Sequence, residues 1–254
     1  MKLTGKTIAI TGGAGGIGSR VAELAVQKGA TPVIIDRLAM PNSQHPYIMG
    51  DLSGADGIYF ISERLREIQP DILLNLAGIQ YFGMLEAQSP EQIALMVQVN
   101  LTAPMLLTQA VLPAMKKRRS GQIVNIGSIF GSISFAHFVT YSSTKAGIKA
   151  FSEGLRREVT DSGITVTHIA PRAVKTPLNN EKILQLAART KMAMDEPNQI
   201  AKRMIEAIEK DAKDVYIGFP ESLFVRVNAL LPRIVDGALA KNDRIARDIL
   251  TATA

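Results

Sequence analysis

Tyr141 and Lys145 stand four residues apart in Tyr141-Ser142-Ser143-Thr144-Lys145, followed by Ala146, Gly147 and Ile148. On a helix that spacing puts a phenol and an ammonium on one face, one turn from each other. An ammonium near a phenol favours the phenolate, because an opposite charge lowers an acid's pKa. Such a phenol could give and take protons near neutral pH. The same spacing also arises on ordinary solvated helix faces. The pair therefore means chemistry only if the rest of the chain supplies a cleft and a cofactor.

Thr7-Ile8-Ala9-Ile10-Thr11 is a short β-branched run and reads as a buried strand. Gly12-Gly13-Ala14-Gly15-Gly16-Ile17-Gly18 follows, and an apolar-periodic helix starts behind it. A glycine-rich turn between strand and helix presents free N–H groups and a positive dipole end, where a pyrophosphate can sit. Gly12, Gly16 and Gly18 hold the fixed positions of a Thr-Gly-x-x-x-Gly-x-Gly spacing. The second strand ends at Asp36, 24 residues after Gly12. A carboxylate there accepts from ribose hydroxyls and repels a 2′-phosphate, which favours NAD(H) over NADP(H). Arg37 pulls against that reading, since a guanidinium offsets part of the repulsion.

Further strands are expected at Tyr47-Ile48-Met49, Asp71 to Asn75, Gln122 to Ile126, Ile164 to Ile169 and Val215-Tyr216-Ile217. Asp51 and Leu52 could receive an adenine, or Asp51 could simply cap the helix of Asp56 to Ile68. Asn75-Leu76-Ala77-Gly78 is a small, open strand end. Asn100 falls inside a helical stretch, where asparagine has poor propensity, so it either bends the helix or has a task. Ser128 follows the fifth strand. Asp195 looks like a helix N-cap. Strands alternating with helices imply an α/β fold: a Rossmann-type, doubly wound parallel sheet of about seven strands with helices on both faces. One domain over 1–254 is the economical reading, with a helical insert near 179–193 and a helical tail over 219–254.

The bulk numbers exclude several classes. With 46% apolar and 20% charged residues the chain can bury a large core. It has no cysteine, hence no disulfide or thiolate site, which fits a cytoplasmic location. His45, His137 and His168 show no metal-ligand spacing, so no metal is expected. No apolar run reaches the roughly 18 residues of a membrane span. Net charge is +6, but Lys116-Lys117-Arg118-Arg119 alone supplies four positive charges and answers a helix dipole, so no nucleic-acid partner is expected.

Taken together, Thr11-Gly12…Gly16-Ile17-Gly18, Asp51, Asn75-Leu76-Ala77-Gly78, Asn100, Ser128, Tyr141…Lys145 and Pro171…Thr176 resemble the short-chain dehydrogenase/reductase family over roughly residues 5 to 218. The resemblance implies that Tyr141 exchanges a proton with a substrate oxygen and that Lys145 lowers its pKa and binds the nicotinamide ribose. Ser128 would bond the same oxygen, and Asn100 would position a relay water. Cofactor contacts are implied at Gly12, Gly15, Gly16, Ile17, Asp36, Arg37, Asp51, Leu52, Asn75, Ala77, Gly78, Pro171, Val174 and Thr176, beside Tyr141 and Lys145. A homodimer or homotetramer is expected. The remaining alternatives are a catalytically silent dinucleotide sensor and an RNA-binding protein.

Two features depart from the family pattern. Arg172 follows Pro171 where glycine is frequent; it would face the nicotinamide or cofactor phosphates, or point to solvent. The tail carries an amphipathic pattern broken at Pro232. It would pack on the body or a second subunit, or else cover a greasy site or touch a membrane surface. Ile79, Tyr81, Phe82, Ile129, Phe130, Phe135 and Phe138 flank the motifs and point to a hydrophobic ketone or secondary alcohol: lipid-, steroid- or acyl-like. His137 could touch substrate or serve structure.

Overall fold

β-Branched and leucine-rich runs build the centre of the molecule because strands covered on both faces need apolar side chains on both. In a computed structural model, which describes residues 2–39 and 43–252, seven strands form one parallel sheet in the order β3-β2-β1-β4-β5-β6-β7. The strands are β1 (Thr7–Thr11), β2 (Thr31–Asp36), β3 (Tyr47–Met49), β4 (Ile72–Asn75), β5 (Gly121–Ile126), β6 (Ile164–Pro171) and β7 (Asp214–Ile217). The doubly wound, single-domain α/β expectation holds. The outermost ends of the 1–254 domain and the 219–254 tail lie outside the described residues.

Helices α1 (Gly16–Gln27) and α7 (Pro197–Glu209) cover one face. On the other lie α2 (Ala55–Ile68), α4 (Ala103–Arg118) and α5 (Val139–Glu158). Ile8, Ile10, Leu73 and Leu74 are fully buried between the two layers. Each such side chain contributes about 1.5–3 kcal/mol by leaving water. Sequence order reverses between β1 and β4, so a crevice opens at their carboxyl ends. Thr11, Asn75 and Ile126 all end strands on that rim.

Helix α3 (Pro90–Val97) starts at a capping box between Ser89 and Gln92. It runs into α4 through a π-helical turn, Gln98–Thr102, that contains Asn100. The continuous run Pro90–Arg118 is long enough, at mean hydropathy 1.4, to pass as a membrane span, which the sequence reading did not expect. Half of its apolar 18-residue window is buried inside the fold, as in a core helix.

Two local expectations are corrected. Asp195 does not cap a helix: α7 begins after Glu196 without a side-chain cap, and Asp195 instead bridges to Val174. Asp51 does not cap α2 either, because Gly54 holds that position. The Asp51 carboxylate accepts from its own neighbour, Ser53 N, at 2.9 Å. Asn75 turns inward: its Nδ2 donates to Asn125 Oδ1 at 2.8 Å, tying β4 to β5.

The insert forms α6 (Glu181–Thr190), and the tail forms α8 (Glu221–Leu230) and α9 (Pro232–Thr251), broken at Pro232 as its pattern suggests. Ala246 and Ile249 of α9 meet Ile183 and Leu186 of α6 in a cluster with Phe82, Phe138 and Tyr141. Val225 of α8 and Val235 of α9 pack on Ile129 and Ile133. The tail therefore lies on the body, on the side where Tyr141 opens.

Candidate active site

The glycine-rich turn is tight for identifiable reasons. Gly12 has φ +70°, and a Cβ there would lie 2.9 Å from Ala77 Cα. The turn and the end of β4 thus approach backbone to backbone. Thr11 Oγ1 fixes that approach by accepting from Leu76 N and Ala77 N at 3.0 and 3.1 Å. Gly15 precedes α1 without any side-chain cap, and no acidic residue occupies the first turn. The uncapped N–H groups of α1 are thus left for an anion. Gly16 faces Thr176, whose Cγ2 would stand 3.4 Å from a Cβ there. The Pro171–Thr176 loop therefore closes over the same helix end. These residues fit a dinucleotide pyrophosphate.

Asp36 reaches back to this turn, its Oδ2 accepting from Ala14 N at 3.1 Å and its Oδ1 from Leu38 N at 3.2 Å. Arg37 is exposed. Asp51 is exposed beside a buried Leu52. The structure thus places Asp36 against the glycine turn and leaves Arg37 in solvent.

At the far end of the crevice the proton-transfer candidates come together. Ser128 stands just beyond β5, and its Oγ accepts from Phe130 N at 3.2 Å. Lys145 is buried and donates from Nζ to Ile126 O at 2.9 Å. That Nζ lies 5.7 Å from the centre of the Tyr141 ring. A Cβ on Gly78 would sit 3.3 Å from Asn100 Oδ1 and 3.5 Å from Lys145 Nζ, so the strand end passes close to both side chains. Asn100 is held three times: Oδ1 accepts from Ile79 N at 2.9 Å, while Nδ2 donates to Ile79 O at 2.8 Å and to Thr144 Oγ1 at 3.1 Å. The π-helical turn lets it reach the β4 loop, so it both bends the helix and ties the loop to α5.

The electrostatics differ from the sequence expectation. Burial pushes the Tyr141 phenol up to about 12, with the Ser128 hydroxyl's hydrogen bond pulling the other way. Burial also draws the Lys145 ammonium down to about 8. Desolvation outweighs the attraction that a Tyr–Lys pair suggests, because both groups sit in an apolar wall. A phenol in this state is a proton donor; the ammonium is the group that changes charge near neutral pH.

One crevice is lined by Ile17, Gly78, Ser128, Tyr141, Lys145, Pro171, Val174 and Thr176. Gly12, Gly15, Gly16, Asp36 and Ala77 lie along its turn; Asn75 lies behind it. Leu178, Ile183 and Met192 of the insert region close the substrate side. Phe130 and Phe135 stack at 4.3 Å, and Phe82 and Phe138 at 4.8 Å, around Tyr141. His137 takes φ +66° and meets Phe82 edge to face at 6.4 Å.

A family model described as short chain dehydrogenase matches residues 6–187. The chain belongs to the short-chain dehydrogenase family. It is 30% identical over 235 residues to 3-oxoacyl-[acyl-carrier-protein] reductase of Vibrio cholerae, covering 89% of this chain and 94% of that protein. A solved bulky-bulky ketone specific alcohol dehydrogenase from Comamonas testosteroni is 26% identical with a TM-score of 0.74, over 92% of this chain and 94% of its own. A short-chain dehydrogenase from Sphingobium yanoikuyae in complex with NADPH is also 26% identical, TM-score 0.75, covering 92% and 95%. The protein is thus an oxidoreductase of this family that works with a nicotinamide nucleotide.

Sequence reasoning missed Gln80 and did not foresee the partners of Arg172. Gln80 Nε2 donates to Leu178 O at 2.8 Å and Asn179 Oδ1 at 3.1 Å, clasping the two loops across the crevice. Arg172 lines the crevice, and its guanidinium is turned to the tail. Its Nε and Nη2 donate to Asp195 at 3.0 and 2.7 Å, and its Nη1 donates to Glu221 at 3.1 Å and Phe219 O at 3.0 Å. These bonds hold its guanidinium pKa above the usual arginine value, the bond to Asp195 foremost. The partners lie 23 and 49 residues away, beyond any local pattern. Arg172 anchors the tail to the loop that covers the cofactor end. Arg172→Met should cost about 1–3 kcal/mol of stability, since charged hydrogen bonds are lost and two carboxylates lose their partner. Thermal unfolding, with limited proteolysis showing earlier cleavage within 219–251, checks this.

Proposed function

We propose that the protein catalyses reversible hydride transfer between a nicotinamide cofactor and a hydrophobic secondary alcohol or ketone, and that at neutral pH it favours the ketone. The observation that carries this reading is the meeting of Ser128, Tyr141 and Lys145 in one crevice with the Ile17 and Thr176 end of the glycine turn. When bound, the cofactor supplies or accepts the hydride. The chain's own residues handle the proton. Ser128 Oγ and the Tyr141 hydroxyl bond the substrate oxygen; as charge develops there, Tyr141 gives up its proton. An alkoxide is far more basic than a phenol held near 12, so the transfer runs downhill. Lys145 restores the proton, and Asn100, pinned at Ile79 beside Gly78, orients the relay path. The cover made by α6 and α9 completes a single catalytic unit over 1–254.

Aromatic stacking around Tyr141 and the apolar faces of α6 and α9 support a bulky apolar substrate. The ketone specificity named for the Comamonas neighbour and the acyl substrate named for the Vibrio relative point the same way. For the cofactor we propose NAD(H), on the carboxylate of Asp36 at the glycine turn; the NADPH held by the Sphingobium neighbour pulls against it. Exposed Leu95, Leu106 and Val139 fit a homodimer or homotetramer, and the lack of cysteine fits the cytoplasm.

The test is turnover at 340 nm with NADH and NADPH over a panel of ketones. NADH should exceed NADPH by roughly tenfold or more in kcat/KM, and Asp36→Ser should erase most of that gap by removing the charge opposed to a 2′-phosphate. Bulky apolar ketones should outrun small charged ones. Cofactor binding without any turnover would sink the enzyme reading and favour a silent sensor.

A further inference from the structure

Helix α8 is apolar on two sides. Val225 faces inward onto Ile129 and Ile133, and Asn228 Nδ2 bonds Ser132 O at 2.8 Å. At 100° per residue, Leu223, Phe224 and Leu230 fall away from Val225, and Leu231 just past the helix end continues the stripe. All four are exposed, Leu230 by 80%. Phe219, exposed by 77%, extends the stripe at one end, and Ile234, exposed by 60%, carries it past Pro232 at the other. A surface helix normally turns its one apolar stripe to the core. An outward stripe of this length marks a contact surface.

Charge identifies the partner. Between Ser222 and Val235 the only charged residues are Arg226 and Arg233. Both are exposed, and Glu221, the acid nearest the stripe's start, is already held by Arg172. We propose that this corner seats on an anionic phospholipid bilayer, with α8 lying in the interface plane and the two arginines among the headgroups. Amphipathic helices bind membranes in this way, by apolar burial plus attraction to anionic lipid. A second copy of the chain fits the corner less well. The two acids of this corner, Glu221 and exposed Asp236, stand at the ends of the stripe and not within it, and Glu221 is already held by Arg172, so the arginines of a second copy would find few acids across the stripe.

The test uses the full chain and no substrate, so it stands apart from the proposed reaction. Flotation compares vesicles of phosphatidylcholine alone with vesicles containing about one-third phosphatidylglycerol. The protein should float with the anionic vesicles, and added salt should weaken binding. Leu230→Glu with Leu231→Glu should cut the bound fraction roughly tenfold or more, since charges enter the apolar face. Arg226→Glu with Arg233→Glu should remove the preference for anionic lipid. Amide exchange on the unaltered protein gives a second reading: vesicles should protect 219–234 and little else. Wild type that ignores both vesicles, or variants that bind as wild type does, would overturn the proposal. So would a Leu230→Glu, Leu231→Glu variant of smaller mass by light scattering whose parent binds no vesicle, because the corner would then join two copies.

Discussion

Tyr141→Phe should lower kcat for ketone reduction by roughly 10²–10⁴-fold, the usual worth of a positioned proton donor. The fold should survive. The phenol ring packs edge to face on Phe130 at 6.0 Å within a cluster of apolar side chains, and phenylalanine fills nearly the same volume. The hydroxyl is buried, so deleting it removes a desolvated polar group at the loss of one bond to Ser128, whose Oγ keeps its bond from Phe130 N, and the unfolding temperature should move little. KM for the ketone should change far less than kcat, because the ring still lines the crevice. Steady-state kinetics with saturating cofactor, beside thermal unfolding, separate these outcomes. A variant retaining most of its turnover would mean that the proton comes from elsewhere.

The sequence revealed the sheet and the set of polar residues that meets on its rim because each signal is local. A β-branched run, a glycine turn and a Tyr–Lys spacing are each written within a dozen residues, and chain order alone sets them on one rim. Asp36 was legible for the same reason, since a strand end fixes its place. The direction of the Asn75 side chain was not legible, because a strand-terminal side chain can turn either way, and here Asn125 on the neighbouring strand draws it inward. Asp195 misled because a residue suited to N-capping serves Arg172 instead. Arg172 itself could not be read, as its partners come from the start of α7 and the entry to α8, which meet only after the sheet forms. The pKa directions were likewise hidden. Spacing tells that an ammonium lies near a phenol, but only burial tells that desolvation exceeds their attraction.

Lys145→Met should nearly abolish turnover and reverse a pH trend in stability. The ammonium is fully enclosed, and its pKa falls from the usual 10.5 to about 8. At about 1.4 kcal/mol per pKa unit, that corresponds to about 3 kcal/mol lost by burying the charged form. Below about pH 8 both folded and unfolded lysine carry the proton, so the folded protein bears the whole cost. Between about 8 and 10.5 the unfolded chain binds more protons than the folded one, and stability rises with pH. Tyr141 acts above that window: its raised pKa contributes stability that is lost only as pH climbs from 10 to about 12. Methionine cannot titrate, so the stability of Lys145→Met relative to wild type should fall by up to about 3 kcal/mol between pH 8 and 10.5. At neutral pH the variant forfeits the charged bond to Ile126 O, about 1.5–3 kcal/mol, yet escapes a burial cost of similar size, and should unfold near the wild-type temperature. Activity should report the same titration. Reduction by wild type should decline as pH rises through about 8, where the proton that resupplies Tyr141 is lost, while Lys145→Arg, if it turns over at all, should hold its rate to higher pH. Denaturant unfolding at a series of pH values, beside kcat/KM profiles, gives both curves. A wild-type rate flat from pH 7 to 10 would show that Lys145 does not feed protons to the phenol.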